Sequence, residues 1–160
     1  MVKKNINAKA ALLTNSCTSA LEMCALLLNL KKDDEVIMPS FTFVSTANAF
    51  VLRGAKPVFV DINNRDLNID SNKIEKAITK KTKAIVVVHY AGISCDIKKI
   101  KTIAKKNKIF LIEDAAHSIL SYYQKKPLGS FGDLSTFSFH DTKNIHCGEG
   151  GALIINNKSL

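Results

Sequence analysis

Residues 83–90 read KAIVVVHY, and this stretch decides the fold class. Its centre holds five consecutive apolar residues, four of them β-branched, with no polar alternation. Such a run is typical of a strand that is covered on both faces, as in a parallel sheet. Further strands are predicted from the apolar runs EVIMP (35–39), PVFVDI (57–62), IFLIED (109–114), LSTFSFH (134–140) and GALIIN (151–156).

Helical segments separate the predicted strands. Residues 18–30 are apolar nearly all round, which predicts a buried helix, and residues 96–108 carry isoleucines at helical spacing with lysines between them. Shorter helices are predicted at 44–52 and from Asp70 onward. This alternation indicates an α/β fold with a mostly parallel sheet and helices on both faces. Ligands of such sheets bind at the carboxyl ends of the strands, so we expect the functional residues there.

Length and composition indicate one globular domain of 160 residues. The net charge is +9, but 21 of the 23 basic residues are lysines scattered along the chain, which argues against nucleic-acid recognition. No apolar run is long enough to cross a bilayer and no signal peptide is recognisable, so we expect a cytoplasmic protein without a membrane partner. The four cysteines lack metal-site spacing and are expected to be reduced thiols, with no metal.

The segment NSCTSAL (15–21) places small polar residues at the start of the buried helix. Free backbone N–H groups, the helix dipole and nearby hydroxyls would hold a phosphate there. Ordinary N-capping accounts for the same residue types, with Ser19 and Glu22 as one capping box. The segment by itself leaves both interpretations open.

Two further segments carry reactive groups at strand ends. Asp114, in EDAAH (113–117), could pair with a cationic ring nitrogen or simply cap the next helix. Lys143, in SFHDTKN (138–144), stands between a strand end and the glycine turn GEGG (148–151). No G-x-G-x-x-G follows the first predicted strand, which argues against a dinucleotide-binding domain.

The combination of these groups matches the needs of pyridoxal 5'-phosphate (PLP). A lysine amine forms a Schiff base with its aldehyde, and a carboxylate keeps its pyridine nitrogen protonated. An aromatic side chain such as Phe43 can stack on the ring, and a helix N-terminus can bind the phosphate.

Six segments occur in order from about Ala11 to the last residue: NSCTSALEM, DEVIMPSFTFVSTANAFVLRGAKPVFVD, VHYAG, EDAAH, SFHDTKN and GEGGA. Their content and order resemble the DegT/DnrJ/StrS family of PLP-dependent nucleotide-sugar aminotransferases. The resemblance implies the large domain of the fold type I PLP-dependent transferases. It also implies transfer of an amino group from glutamate to a nucleotide-linked 4-keto-6-deoxy sugar in polysaccharide or surface-antigen sugar biosynthesis, by a homodimer.

The resemblance further implies a role for single residues. Lys143 matches the catalytic Schiff-base lysine, and its presence favours transamination, since a dehydratase branch of the family has histidine there. Asp114 matches the partner of the pyridine nitrogen, and His117 matches the residue near the phenolic oxygen of the cofactor. Phe43 matches the aromatic residue that stacks on the ring. The phosphate-binding positions are matched by Cys17, Thr18 and Ser138.

Some points stay open from the sequence. His89 and His140 either contact the cofactor or pack at strand ends. Relatives continue into a C-terminal small domain that is missing here, so residues 1–160 are expected to be a single, partial large domain, truncated relative to the family. The alternative to an active aminotransferase is therefore a truncated, inactive remnant of one.

Overall fold

The computed structural model describes residues 6–160. It has nine strands within these residues: β1 (Ala10–Thr14), β2 (Glu35–Pro39), β3 (Lys56–Val60), β4 (Thr82–Val88), β5 (Phe110–Asp114), β6 (Tyr122–Tyr123), β7 (Lys126–Pro127), β8 (Leu134–Ser138) and β9 (Gly151–Ile155). The α-helices in the same range are α1 (Cys17–Leu27), α2 (Val44–Val51), α3 (Ser71–Ala77) and α4 (Ile97–Asn107). A short 3₁₀ turn, Tyr90–Gly92, follows β4.

Seven strands form one sheet in the order β1-β9-β8-β5-β4-β2-β3. The neighbours from β8 to β3 pair in parallel, and β9 runs antiparallel to both β8 and β1. The strands β6 and β7 form a separate small hairpin. The expected mostly parallel α/β sheet is therefore confirmed.

The sheet lies between two helical layers. On one face, α1 and α2 pack over Val36, Val86 and Leu153. On the other face, α3 and α4 pack over Ile37 and Ile85. Neighbouring residues of one strand serve opposite layers, which explains why the central strands are apolar throughout.

Three strands were not predicted from the sequence, the edge strand β1 and the two strands of the separate hairpin. β1 is short, and its residues are half-buried or exposed, so it has no buried apolar run to mark it. Strands β6 and β7 have two residues each, below the length at which periodicity is informative. Among residues 6–160, no helix combines the length and the apolar composition needed to cross a bilayer.

Candidate active site

A cavity of about 550 Å³ lies at the carboxyl ends of the strands, where the α/β topology predicts a ligand site. All seven residues that the sequence predicts for the site line this one cavity: Cys17, Thr18, Phe43, Asp114, His117, Ser138 and Lys143. Their sequence positions span most of the chain, so the fold alone brings them together.

The start of α1 forms one wall of the cavity. Ser16 is the N-cap, and its side chain accepts a hydrogen bond of 3.1 Å from the Ser19 amide. The predicted capping box beginning at Ser19 is therefore wrong, because the N-cap lies three residues earlier, at Ser16. The amides of Cys17 and Thr18 have no acceptor within the helix, whose first backbone bond runs from the Ala20 amide to the Ser16 carbonyl, so both are free to bind an anion.

Gly151 brings β9 against this helix start. A Cβ atom at Gly151 would lie 2.4 Å from the carbonyl carbon of Ser16 and 2.5 Å from the amide nitrogen of Cys17. Any side chain there would displace the helix N-terminus, so the last glycine of GEGG is required by backbone approach.

Asp114 lies at the floor of the cavity and is 4% exposed. Its carboxylate accepts hydrogen bonds from the Thr46 hydroxyl at 2.8 Å and from the Ala116 amide at 3.2 Å. Thr46 in turn accepts a bond of 2.8 Å from Thr42. Burial raises the pKa of Asp114, and these two hydrogen bonds only partly offset the rise. A cationic N–H group in the cavity would supply the charge partner that this carboxylate lacks.

Two further polar groups lie close to Asp114, the thiol of Cys17 at the start of α1 and the hydroxyl of Thr136 on β8. Burial raises the pKa of the Cys17 thiol, and the nearby carboxylate of Asp114 raises it further, so the thiol stays protonated. The buried hydroxyl of Thr136 faces this thiol and is the one buried side-chain polar atom without a hydrogen-bond partner among the described residues.

His117 stands beside Asp114 and is half-buried. Its Nδ1 accepts a hydrogen bond of 3.2 Å from the Ala91 amide, and the Tyr90 ring meets its ring edge to face at 5.8 Å. Burial lowers the pKa of His117, and the positive charge of Lys143 lowers it further against the opposing effect of Asp114. The imidazole is therefore neutral at neutral pH.

Lys143 belongs to a loop that joins β8 to β9. Two backbone hydrogen bonds close the base of this loop, from the Phe139 amide to Gly150 at 2.8 Å and from the Cys147 amide to Phe139 at 3.0 Å. The Lys143 amide donates to the His140 carbonyl at 2.9 Å, and the His140 ring reaches Glu149 at 3.3 Å. His140 and Glu149 both line the cavity, so His140 is the strand-end histidine that reaches the site.

Aromatic side chains form the outer wall. Phe43 directly precedes α2, lines the cavity and is 74% exposed. Phe41 and Tyr90 also line the cavity, with their ring centroids 5.1 Å apart.

The sequence model of the DegT/DnrJ/EryC1/StrS aminotransferase family matches residues 1–160, the whole chain. The chain belongs to this family. The family predicted from the sequence is thereby confirmed, and with it the class of PLP-dependent aminotransferase folds.

Individual relatives show how far the similarity extends. The chain is 44% identical over 155 residues to the spore coat polysaccharide biosynthesis protein SpsC of Bacillus subtilis, covering 97% of this chain and 40% of SpsC. It is 44% identical over 143 residues to GDP-perosamine synthase of Escherichia coli O157:H7, covering 89% of this chain and 39% of the synthase. The chain thus spans about two fifths of the length of these relatives.

A solved structure provides a comparison of the fold. The PLP form of Spr1654 from Streptococcus pneumoniae, a protein assigned as a sugar aminotransferase, superposes with a TM-score of 0.94 at 32% identity. The match covers 99% of this chain and 45% of that protein. The same protein has been solved in its PMP form, so the cofactor that the resemblance implies occurs in a structural relative.

His89 and Glu113 form a buried polar pair that was not predicted from the sequence. His89 is fully buried, away from the cavity lining, and its Nδ1 accepts a bond of 3.3 Å from the Cys95 amide. Its Nε2 therefore carries the proton and donates to Glu113 at 2.9 Å. Of the two open interpretations of His89, packing at the strand end is the correct one.

Glu113 binds the loop before β8. Its two oxygens accept amide hydrogen bonds from Gly129 at 2.8 Å, Phe131 at 2.6 Å and Gly132 at 2.5 Å. Burial by itself would raise the pKa of Glu113, but the bonds from His89 and the backbone amides outweigh it and hold that pKa below its ordinary value. The sequence holds one signal that Glu113 lies outside the cavity. Adjacent residues of a strand face opposite sides of the sheet, so the side chain of Glu113 cannot point to the same side as that of Asp114.

We expect Glu113→Gln to lower the free energy of unfolding by about 3–5 kcal/mol at neutral pH. Glutamine replaces one carboxylate oxygen with an N–H₂ group, and this group cannot accept the backbone hydrogen bonds that the carboxylate accepts. The folded-state pKa is lowered, so this stabilisation is present above the unfolded pKa of about 4.3 and disappears as the pH falls. Urea denaturation at pH 7 and at about pH 3, which lies below the unfolded pKa, measures both effects.

Glu75→Gln is the matched control. Glu75 lies on α3 and pairs with Lys106 at 3.1 Å, with both side chains more than half exposed. Its loss is expected to cost less than about 1 kcal/mol. Equal costs for the two variants would contradict the role assigned to the buried carboxylate.

Proposed function

We propose that residues 1–160 form one PLP-binding large domain, and that this domain carries the catalytic lysine of a nucleotide-sugar aminotransferase. The observation that carries the proposal is the convergence of an amine, a buried carboxylate and a helix N-terminus on one cavity. Those are the three groups that a cofactor with an aldehyde, a basic ring nitrogen and a phosphate requires.

Bound PLP supplies an aldehyde that condenses with amines and a protonated ring that takes up an electron pair from the substrate carbon. Lys143 offers the amine in this proposal, and it also carries the proton to and from the substrate carbon. Lys143 is half-buried, with its charge close enough to His117 to lower the pKa of that residue, so the amine lies inside the cavity.

Asp114 fits the role of partner to the ring nitrogen. A carboxylate buried without a cation is unfavourable, and an N–H⁺ group above it would lower its pKa and its free energy together. The hydroxyl of Thr46 orients one oxygen of Asp114, and the amide of Ala116 orients the other. Asp114 would then hold the ring proton in place throughout the reaction.

The start of α1 fits the phosphate. Free amides at Cys17 and Thr18 and the positive end of the helix dipole favour a dianion. The Thr18 hydroxyl, 2.9 Å from Ser45, and the Ser138 hydroxyl on β8 lie at the same end of the cavity lining and complete the donor set. Phe43, which is largely exposed, would stack on the pyridine ring.

In this proposal the amino acceptor is a nucleotide-linked 4-keto-6-deoxy sugar and the donor is glutamate, as the family resemblance implies. SpsC and GDP-perosamine synthase are named for polysaccharide and nucleotide-sugar biosynthesis, which supports a nucleotide-linked sugar as the acceptor class. Assembly as a homodimer and a cytoplasmic location are parts of the same proposal and stay predictions.

A PLP titration of the purified protein tests the proposal. We expect a saturable visible absorption band, and after borohydride reduction a pyridoxyl label that peptide mass mapping places on Lys143 among the 21 lysines. Glutamate added before reduction should remove the band by converting the cofactor to its amine form. A label spread over surface lysines, or no saturable band, would favour the inactive remnant.

A further inference from the structure

The turn after β4 has a backbone conformation that its own residues do not favour. Ala91 has φ 51° and ψ 25°, in the left-handed region that costs a non-glycine residue on the order of 1 kcal/mol. Such a conformation persists only where the surroundings enforce it. The groups that enforce it therefore bear on what the turn does.

Asn68 holds the turn on both sides of Ala91. Its Oδ1 accepts a hydrogen bond of 3.0 Å from the Tyr90 amide, and its Nδ2 donates one of 3.1 Å to the Ile93 carbonyl. Asn68 is 1% exposed, so both bonds are shielded from water. No other described side chain bonds both ends of this turn.

The enforced conformation aims one amide at the active site. The Ala91 amide donates to Nδ1 of His117 at 3.2 Å. A nitrogen that accepts this bond carries no proton, so the proton of the neutral imidazole lies on Nε2. His117 lines the cavity, and its Nε2 makes no hydrogen bond to any of residues 6–160, which leaves this N–H free to donate to a ligand.

We propose that Asn68, which lies outside the cavity, is a positioning residue that fixes His117 in the Nε2–H tautomer through the Ala91 amide. The use of that tautomer rests on the proposed function. A neutral donor beside the cofactor ring can bind an anionic phenolic oxygen, whereas the other tautomer would present a lone pair to it. Asn68 itself touches neither ligand nor reacting atoms.

The charged and titratable neighbours of His117 agree with a neutral ring. Lys143 faces it from the β8–β9 loop and Asp114 from β5, and the Tyr90 ring covers one side. The same turn packs closely against Ser121 at Gly92, since a Cβ atom at Gly92 would lie 2.8 Å from the Ser121 hydroxyl. Asn68 bonds only the backbone of the turn, so changing its side chain removes none of these charged or aromatic side chains.

Long-range ¹⁵N NMR of the four histidines in the PLP-free protein tests the proposal. Wild-type His117 is expected to favour the Nε2–H tautomer about tenfold or more over the Nδ1–H form, the ratio that one hydrogen bond supports. Exposed His146 is the internal reference. In Asn68→Ala, the tautomer ratio of His117 should shift towards that of His146.

Asn63→Ala is the matched control. Asn63 lies in the same loop, donates to the Asn68 carbonyl at 3.2 Å and accepts from Arg65 at 3.0 Å, but it makes no bond to the turn. The control should lose stability without changing the tautomer ratio. If Asn68→Ala does not fold, Ala91→Val serves instead: Ala91 is exposed, and a β-branched side chain disfavours the left-handed conformation, so the ratio should shift in the same direction.

Two results would overturn the proposal. One is an Nδ1–H tautomer in wild-type His117, and the other is an unchanged ratio in folded Asn68→Ala or Ala91→Val. Because the measurement needs no cofactor, it is independent of the PLP titration. A protein that fails to bind PLP but shows the expected tautomer would refute the proposed function and leave the role of Asn68 intact.

Discussion

In Lys143→Ala, borohydride reduction with PLP is expected to leave no label at the cavity, and amino transfer is expected to be abolished, because the variant lacks the one lysine among residues 6–160 that lines the cavity. Lys143→Arg should give the same loss, since a guanidinium keeps the charge but does not react with an aldehyde at neutral pH. The PLP-free variants should differ from one another. Burial is the main cause of the low pKa of His117 and the charge of Lys143 adds to it, so alanine should raise that pKa and arginine should not.

The exposed residue Lys76 supplies the control for this prediction. Lys76→Ala should keep the saturable band, the label on Lys143 and the pKa of His117. Absorption spectra, mass mapping and an NMR titration of His117 measure the three quantities. A band of wild-type strength in Lys143→Ala would show that PLP reacts elsewhere on the protein.

Asp114→Asn is expected to separate stability from function. Asparagine keeps the shape and can bond both Thr46 and Ala116, so the PLP-free variant should be at least as stable as the wild type at neutral pH. The neutral amide no longer favours a protonated ring nitrogen, so amino transfer should fall on the order of 10²–10³-fold, the range for loss of one electrostatic partner. A residue that serves only to cap the following turn would leave amino transfer unchanged.

The stability of the same variant should depend on pH with a defined sign. The folded-state pKa of Asp114 is raised, so above the unfolded pKa of about 3.9 the folded protein keeps a proton that the unfolded chain has released. The free energy of unfolding of the wild type therefore falls as the pH rises through this window. The asparagine variant lacks this decline, so its advantage should grow between pH 4 and pH 7. Urea denaturation of both proteins at pH 4 and at pH 7 measures this difference. A wild type that is more stable than the asparagine variant at pH 7 would contradict the prediction.

The strands of the sheet interior were predictable because burial on both faces forces uninterrupted apolar runs, as in β4 and β5. The edge strand β1 and the hairpin strands could not be predicted in this way. β1 pairs with β9 on one side only and exposes Leu13, so it has no buried apolar run. Its identity as a strand depends on a partner that lies at the far end of the chain. Local sequence carries no record of such pairing.

Site residues could be predicted from the sequence where they belong to a motif at a strand end. The residues that hold them in place could not be predicted. Asp114 and Lys143 stand at strand ends, where the topology directs attention. Thr46, Glu113 and Asn68 act through hydrogen bonds to groups that are distant in sequence, and each residue type is ordinary in its local context. Their roles follow from tertiary geometry, which spacing along the chain does not encode.

The pairing of β1 with β9 also sets an order of events during synthesis of the chain. Ala10 faces Ile155, so β1 has no partner until nearly the whole of this segment has left the ribosome. Contacts between such distant residues slow folding, and Leu12 and Leu13 stay open to chaperones meanwhile. The helix start that would hold the phosphate rests on Gly151, so the cradle is completed only when β9 docks. Cofactor capture is therefore expected to follow the last step of sheet assembly and to trap the finished sheet.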